Sequence, residues 1–420
     1  MSSAPLRRNR DFVLLQAGEF LSSTGSQSTT IAYPLLVLAL THSPAKAGIV
    51  GFARVVPFAL FGLLAGAAAD RWNRKALMIA ADAVRVLAIG SLAATILAGD
   101  AVFWQIPVVA FVEGAGSALF SAAQAGALRS VVPAPQMPAA VATVTARNSM
   151  VIVGGPPLGG ALFGLGRAVP FVVDVVSYGF STLALLLMRT PFQEQRDRGR
   201  RRLRAEMAEG MRYLWNQPFI RTCALLFGIG NFIYPGIFLV IVVAGRRHGL
   251  SSGEIGLLTA GLGVCLFAGS LLSAFSRRVF SVRTILLIEL WTWTASAVFL
   301  IWPNVYVLTA SLIPTFVAIP STDSVVHALR IATTPDRLVG RVDSAASNIG
   351  LLISPLGPLL AGFLLSTTSE RATVAVFTAG GLVLALWGST SRSIKDAPSL
   401  TALEDVPREP SFDVGPGATD

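Results

Sequence analysis

The sequence specifies an all-α membrane protein with twelve transmembrane helices arranged as two parallel-repeat six-helix bundles. Three observations lead there: too little charge for a water-facing surface, twelve apolar blocks of bilayer-crossing length, and basic residues concentrated in alternate connections. Apolar residues make up 53% of the 420 positions and charged residues 13%, with a mean hydropathy of +0.65. A soluble domain carries about 25% charged residues. A helix of about 20 apolar residues crosses the hydrocarbon core of a bilayer.

Gly, Pro and charge clusters punctuate the apolar blocks. They place helices at 12–40, 46–69, 76–98, 101–127, 138–165 and 168–188, then at 218–244, 253–275, 283–302, 304–329, 341–366 and 372–391. The shortest punctuation is Gly99-Asp100, Gly166-Arg167 and Pro303-Asn304. The blocks divide the chain into an N-terminal bundle (1–188), a basic linker (189–217), a C-terminal bundle (218–391) and a tail (392–420).

Loop charge orients the layout. With the N-terminus in the cytoplasm, inner segments hold 24 of the 33 basic residues and outer loops hold five, namely Lys46, Arg167, Arg246, Arg247 and Arg371. Retention of Lys and Arg on the cytoplasmic side then puts both termini there, in a multi-pass protein of the plasma membrane. The linker run from Arg196 to Arg204 is expected to be solvated and to touch anionic lipid headgroups. Residues 205–215 are expected to form an interfacial helix with Met207, Met211, Leu214 and Trp215 on one side. The Pro-, Asp- and Glu-rich tail lacks apolar periodicity and is expected to be disordered.

The halves repeat. Pro135-Gln136 followed by Ala146-Arg147-Asn148 is echoed by Pro335-Asp336 and Ala346-Ser347-Asn348. Each copy runs into a helix rich in Gly and Pro, at 154–160 and 354–358. Small residues of this kind let helices approach closely in a membrane.

Several functions fall away on chemical grounds. The net charge is +10, but the basic residues punctuate apolar spans instead of forming one patch, so nucleic acid is not expected as a partner. Lys46, Lys75 and Lys395 are the only lysines and none follows a glycine, which excludes a Gly-Lys-Ser/Thr phosphate loop. The dispersed His42, His248 and His327 suggest no metal site, and no Gly-x-Ser-x-Gly elbow is present. Cys223 and Cys265 both fall within spans, so no disulfide framework is implied. The first apolar stretch has no clear cleavage site and reads as a retained helix. These exclusions leave a polytopic transporter, channel, enzyme or scaffold, expected as a monomer without cofactor.

The sharpest motif lies between the second and third blocks: Gly66-Ala-Ala-Ala-Asp70-Arg71-Trp-Asn73-Arg74-Lys75. It resembles the loop signature of the major facilitator superfamily, Gly-x-x-x-Asp-Arg-x-Gly-Arg-Lys. Here Asn73 replaces the later glycine, a substitution that tolerates left-handed backbone. The resemblance implies a gating loop that locks the two halves on the cytoplasmic side when the cavity faces outward, with Asp70 docking near a helix N-terminus and Arg74 bridging acidic groups. Arg54-x-x-Pro57, Asp82-Ala-Val-Arg85, Arg147-Asn148-Ser149 and Glu209-Gly-Met-Arg-Tyr-Leu-Trp215 resemble the bacterial branch that includes the enterobactin exporter and macrolide efflux proteins. The resemblance covers about residues 8–392 and implies export. The drug-antiporter motif of the fifth span is only partly matched: Gly155-Pro156 and Gly159-Gly160 fit, whereas Val151 stands at a small-residue position.

In that fold the first, fourth, seventh and tenth helices line the central cavity. In the first span Glu19, Ser22, Ser23, Ser26, Thr29, Thr30 and Tyr33 recur at helical spacing on one face. The fourth carries Glu113, Ser117, Ser121 and Gln124, the seventh Asn231 and Tyr234, and the tenth Asp323, His327 and Arg330. An acid in hydrocarbon is costly and faces the bundle interior or water. Glu113 lies about 18 Å into its helix at 1.5 Å per residue, near the midplane, and is the first candidate for a proton-coupling carboxyl. Glu19 is the second. Ser26, Ser117, Asn231, Tyr234 and Asp323 complete the expected cavity, and Asp323, His327 and Arg330 an inner gate. Asp82, Arg85, Glu289 and Asp174 are expected in structural ion pairs or helix contacts. A small amphipathic organic molecule exported against entering protons fits this pattern; uptake or uniport is the alternative.

Overall fold

The computed structural model describes residues 6–190, 192, 203–335 and 337–397. The expected solvated run through residue 202, the expected disordered tail from 398, and Asp336 of the repeat lie outside the described residues. Among the described residues the chain is a series of helices joined by short turns.

The first half contains α1 (Arg10–Thr41), α2 (Pro44–Arg71), α3 (Arg74–Ala98), α4 (Gln105–Val131), α5 (Met137–Leu165) and α6 (Val169–Leu187). A short α7 (Leu203–Asn216) follows. The second half contains α8 (Pro218–Arg247), α9 (Ser252–Val279), α10 (Val282–Ile301), α11 (Val305–Thr333), α12 (Val339–Thr367) and α13 (Glu370–Thr390). Tight turns interrupt α10 at Trp293–Ala297, α11 at Leu312 and α12 near Ser354-Pro355.

Among the described residues, ten of these twelve long helices are apolar enough to cross a membrane by length and composition alone. The two outside that set are α1, diluted by its Ser/Thr face, and α5, diluted by Gly and Pro. Both match their apolar neighbours in length, at 32 and 29 residues. Large side chains such as Leu87, Leu97, Val108, Phe180 and Leu271 point outward from the bundles, where an apolar solvent accommodates them.

Helix ends follow their sequence signals. Asn9 accepts a hydrogen bond from Phe12 N at 3.1 Å, and Ser251 forms a capping box with Glu254; both satisfy free N–H groups of a first turn. Asn73 does the same for α3, accepting from Ala76 N at 3.1 Å. Its backbone is extended, with φ −61°. The left-handed turn expected at this position is therefore absent, and the side chain explains the residue as a cap.

The end of the molecule that carries Asn9, the α2–α3 turn and α7 is called the basic end here, and the opposite one the distal end. The halves meet through α5 against α9 and α2 against α12. These contacts are made by glycine and proline in the distal half of each helix. A Cβ at Gly160 would collide with the Ser252 carbonyl, and one at Gly256 would lie 2.8 Å from the Pro156 carbonyl oxygen. On the other side Gly48 and Gly362 face each other, with Pro358 against Gly51. Close backbone approach of this kind needs residues without bulk.

At the basic end, α7 packs on the second half. Leu214 is fully buried against Ile220, Leu338, Val342 and Ala345, and Tyr213 Oη donates to the Thr333 carbonyl at 2.8 Å. Met207, Met211 and Trp215 remain exposed. The expected single apolar face is thus split, because Leu214 turns to the protein while the other three turn away from it.

Candidate functional site

The first half encloses a cluster of charged side chains. Glu113 of α4, Arg54 of α2 and the hydroxyl face of α1 meet between four helices. Glu113 is 1% exposed. Its Oε1 accepts from Arg54 Nη2 at 3.1 Å, and its Oε2 accepts from Tyr33 Oη at 2.8 Å. The same guanidinium donates to Thr30 Oγ1 and to the Ser26 carbonyl, each at 2.6 Å. The helices can come this close because Gly114 lies against the Arg54 backbone carbonyl, where a Cβ would collide.

Asp174 of α6 sits behind α1 and is fully buried. Thr29 Oγ1 lies 3.4 Å from its Oδ2 and Ser177 Oγ lies 3.3 Å from its Oδ1. Thr29 Oγ1 also lies 3.4 Å from Arg54 Nη2, so one hydroxyl separates the guanidinium from this second acid. Tyr178 Oη and Ser26 Oγ are 2.7 Å apart.

Two further ion pairs flank the cluster. Arg85 binds Asp82, which also accepts from Ser181 Oγ at 2.7 Å. The Arg85 guanidinium lies 4.3 Å from the Tyr178 ring centre and 4.7 Å from that of Phe120, and its Nη1 donates to Ser117 Oγ at 3.4 Å. Arg147 of α5 binds Glu19 of α1 through both terminal nitrogens and donates to Gln16 Oε1 at 2.9 Å. Arg147 Nε and Gln16 Nε2 are buried without a hydrogen-bond partner, so this pair is less completely satisfied than the Arg54–Glu113 pair.

These contacts redistribute the expected roles. Glu113, the first candidate for the proton-coupling carboxyl, is paired with Arg54. Glu19 is likewise paired, and Ser117 belongs to the Arg85 cluster. The stripe on α1 is a continuous face, as its spacing indicates, but Ser26, Thr29, Thr30 and Tyr33 face Arg54, Asp174, Tyr178 and Glu113 inside the first half. Asp82 and Arg85 form the ion pair expected of them. Arg54 and Arg147 appeared in the sequence only as family-like motifs, and Asp174 as a structural acid; Arg54 and Asp174 belong to the cluster and Arg147 flanks it.

In the second half Asn231 and Asp323 line a cavity of about 200 Å³ together with Cys223, Phe227, Arg330 and Ser347. Tyr234 is 41% exposed and packs edge-on against Phe316 at 5.4 Å between ring centres. Of the residues expected in the inner gate, two share an acid on the neighbouring helix. Arg330 Nη1 and His327 Nδ1 both reach Asp343 of α12, at 3.2 and 3.5 Å. Glu289 of α10 is buried, with Oε2 lacking a hydrogen-bond partner.

The α2–α3 turn is anchored within the first half. Arg74 Nη1 donates to the Phe192 carbonyl at 3.3 Å and Nε to the Ala69 carbonyl at 3.1 Å. Lys75 Nζ donates to the Met188 carbonyl at 2.9 Å. Both cations thus meet carbonyls at and beyond the C-terminus of α6, where the helix dipole favours positive charge. Asp70 is half exposed and lies 3.7 Å from Arg74 Nη2. Arg71 is exposed, and a Cβ at Gly66 would meet nothing within 4 Å.

A family model described as Major Facilitator Superfamily matches residues 17–288. The chain belongs to the major facilitator superfamily. It is therefore a transporter of the major facilitator fold, not an enzyme, and a multi-pass protein of the inner membrane. Among curated proteins it is similar to the multidrug efflux pump Tap of Mycolicibacterium fortuitum, 26% identical over 89% of this chain and 92% of that protein. It is also similar to macrolide efflux protein A of Streptococcus pyogenes, 22% identical over 54% of this chain and 56% of that protein. Among solved structures, a bacterial homologue of the human lysosomal transporter Spinster, inward-facing and unoccupied, matches with a TM-score of 0.73 at 16% identity, covering 94% of this chain and 98% of the other. A bacterial homologue of the iron transporter ferroportin, also inward-facing, gives 0.69 at 17% identity over 92% and 100%. These two likenesses concern the fold. Within this major facilitator chain, the Gly66–Lys75 segment occupies the α2–α3 turn where its loop signature was expected.

Proposed function

We propose that this protein exports a small amphipathic organic molecule by alternating access, driven by protons moving in the opposite direction. The observation that carries the reading is the Glu113–Arg54–Asp174 cluster: ionisable groups enclosed by α1, α2, α4 and α6, with Glu113 and Asp174 at most 1% exposed. Such groups inside a bilayer are costly and mark ion pathways or relays. The outward direction is supported by the efflux protein that matches nearly the whole chain.

The halves at 1–188 and 218–391 act as the two rocking bodies, with the basic end and both termini in the cytoplasm. The close contacts at the distal end and the half-exposed Asp70 at the basic end fit an inward-facing state. Asp70, Arg71, Arg74 and Lys75, with Gly66 before them, then form the gating loop that closes the cytoplasmic side in the opposite state. Asn231, Tyr234 and Asp323 supply the polar part of the substrate surface in the second half, and Glu113 belongs to the coupling centre in the first.

The test uses the purified full chain in proteoliposomes loaded with a macrolide or a lipophilic cationic dye. One coupled proton contributes about 1.4 kcal/mol per pH unit, equivalent to a tenfold substrate gradient. Accumulation that follows an imposed pH gradient in magnitude and sign supports the reading. Saturable exchange without such accumulation replaces it with uniport, and accumulation along the proton gradient replaces it with uptake.

A further inference from the structure

Four acids and three arginines make up the buried centre of the first half, and six of these seven groups are paired. Arg54 binds Glu113, Arg85 binds Asp82 and Arg147 binds Glu19. Asp174 is the seventh. The other charged groups of this centre are thus committed: Glu19 on α1, Arg54 on α2, Asp82 and Arg85 on α3, Glu113 on α4 and Arg147 on α5. Tyr33 and Tyr178 complete the titratable surroundings. A fully buried carboxylate without a cation carries a large desolvation cost and takes up a proton instead.

The hydroxyl geometry points the same way. Thr29 and Ser177 each have one hydrogen to donate. Thr29 Oγ1 lies 2.9 Å from the Ser26 carbonyl oxygen and 3.4 Å from Asp174 Oδ2. Ser177 Oγ lies 2.7 Å from the Asp174 backbone carbonyl oxygen and 3.3 Å from Oδ1. Each hydroxyl hydrogen goes to the nearer carbonyl, which leaves oxygen lone pairs facing the carboxyl group. Such a site suits a carboxylic acid, which donates one hydrogen, and suits a carboxylate poorly. Glu113 has the opposite environment, with a guanidinium on one oxygen and a tyrosine hydroxyl donating to the other.

From this we infer that Asp174, and not Glu113, holds the transported proton in the state described, and that Arg54 changes partners when the proton leaves. The inference deepens the proton-coupling reading above and rests on it for its transport role. The Asp174 O–H bond breaks, the proton passes to water on the open side, and both bonding electrons stay on the carboxylate. Arg54 Nη2, one hydroxyl away across Thr29, then donates to that carboxylate and releases Glu113. Gly25 provides the room, since a Cβ there would lie 2.6 Å from Asp174 Oδ1.

Infrared spectroscopy of the full chain in lipid nanodiscs reads the proton directly. The wild-type protein at neutral pH should show C=O bands of protonated buried carboxyls, and Asp174→Asn should remove one that Glu289→Gln leaves in place. Thr29→Val, which deletes one hydrogen-bond partner of Asp174, should shift the band frequency, whereas Tyr33→Phe should leave it in place. These two milder variants decide the matter if Asp174→Asn does not fold. A band that shifts with Tyr33→Phe and not with Thr29→Val assigns the proton to Glu113 and overturns the inference, as does a wild-type spectrum without the band. In proteoliposomes, Asp174→Asn should keep counterflow exchange and lose accumulation driven by a pH gradient. If wild-type protein shows the assigned band but no proton-driven accumulation, the coupling reading fails while the protonation of Asp174 stands.

Discussion

Removing either member of the Arg54–Glu113 pair destabilises the protein, but by unequal amounts that the hydrogen-bond geometry sets. Taking one partner from a buried ion pair costs about 3–5 kcal/mol, because the other charge is left uncompensated. Arg54→Met meets this condition in full: Glu113 is 1% exposed and would retain only the Tyr33 hydroxyl. Glu113→Gln does not, because Arg54 keeps Thr30 Oγ1 and the Ser26 carbonyl at 2.6 Å and has Asp174 one hydroxyl away. Its loss should approach that of a single hydrogen bond to a charged group, about 1.5–3 kcal/mol. The double variant Arg54→Met/Glu113→Gln should be more stable than Arg54→Met alone, since it removes both charges together. Unfolding free energies from detergent denaturation of the purified full chain measure all three. Equal losses for the two single variants, or a double variant whose loss is their sum, would show that the pair is not an isolated buried unit and refute the reasoning.

The gating loop and the topology give two further tests. Asp70→Asn should leave expression and thermal stability unchanged, because the half-exposed contact with Arg74 at 3.7 Å is a surface pair worth about 0–1 kcal/mol; transport should nevertheless fall strongly, and a normal transport rate would remove Asp70 from the mechanism. A cysteine at the exposed Ser251 should react with an impermeant thiol reagent added outside intact cells, while the buried Cys223 stays silent; labelling from the cytoplasmic face alone would invert the orientation.

The helices were legible because most blocks repeat one strong signal, an apolar run bounded by turn residues or charge; α1 and α5 carry it diluted. Predicted limits such as 168–188 and 218–244 differ by only a few residues from Val169–Leu187 and Pro218–Arg247. The breaks within α10, α11 and α12 were not legible, since an apolar sequence stays apolar when one turn tightens. The polar face of α1 was readable for a similar reason: spacing fixes which residues share a face. Spacing does not say which helix that face meets. Arg54 lies 59 residues from Glu113 in sequence, and Asp174 lies 145 from Thr29. Pairing across such separations depends on how helices pack. Here a decisive contact is made by Gly114, whose lack of a side chain gives no polar signal at all. Leu214 shows the converse limit, since apolarity alone could not choose between lipid and protein for its side chain.

The position of Arg54 along α2 connects the buried charges to the contacts between halves. At its distal end α2 touches α12 through Gly48 and Gly51, with Pro44 against Gly362. Arg54 follows Gly51 by one helical turn and ties α2 to α1 and α4. Pro57 comes next, and its missing N–H leaves the Ala53 carbonyl without the usual helical donor, which weakens the rod beside the arginine. The same helix ends at Asp70 and Arg71 on the basic side. A change in the partner of Arg54 is thus applied between a distal seal and a weakened turn, in a helix that also carries the gating loop. A local exchange of one hydrogen bond can bias a two-state equilibrium only through contacts that differ between the states. In the proposed mechanism those contacts on α2 are the glycine approaches at one end and Asp70 at the other, so protonation in the first half would act on both ends of the protein through a single helix.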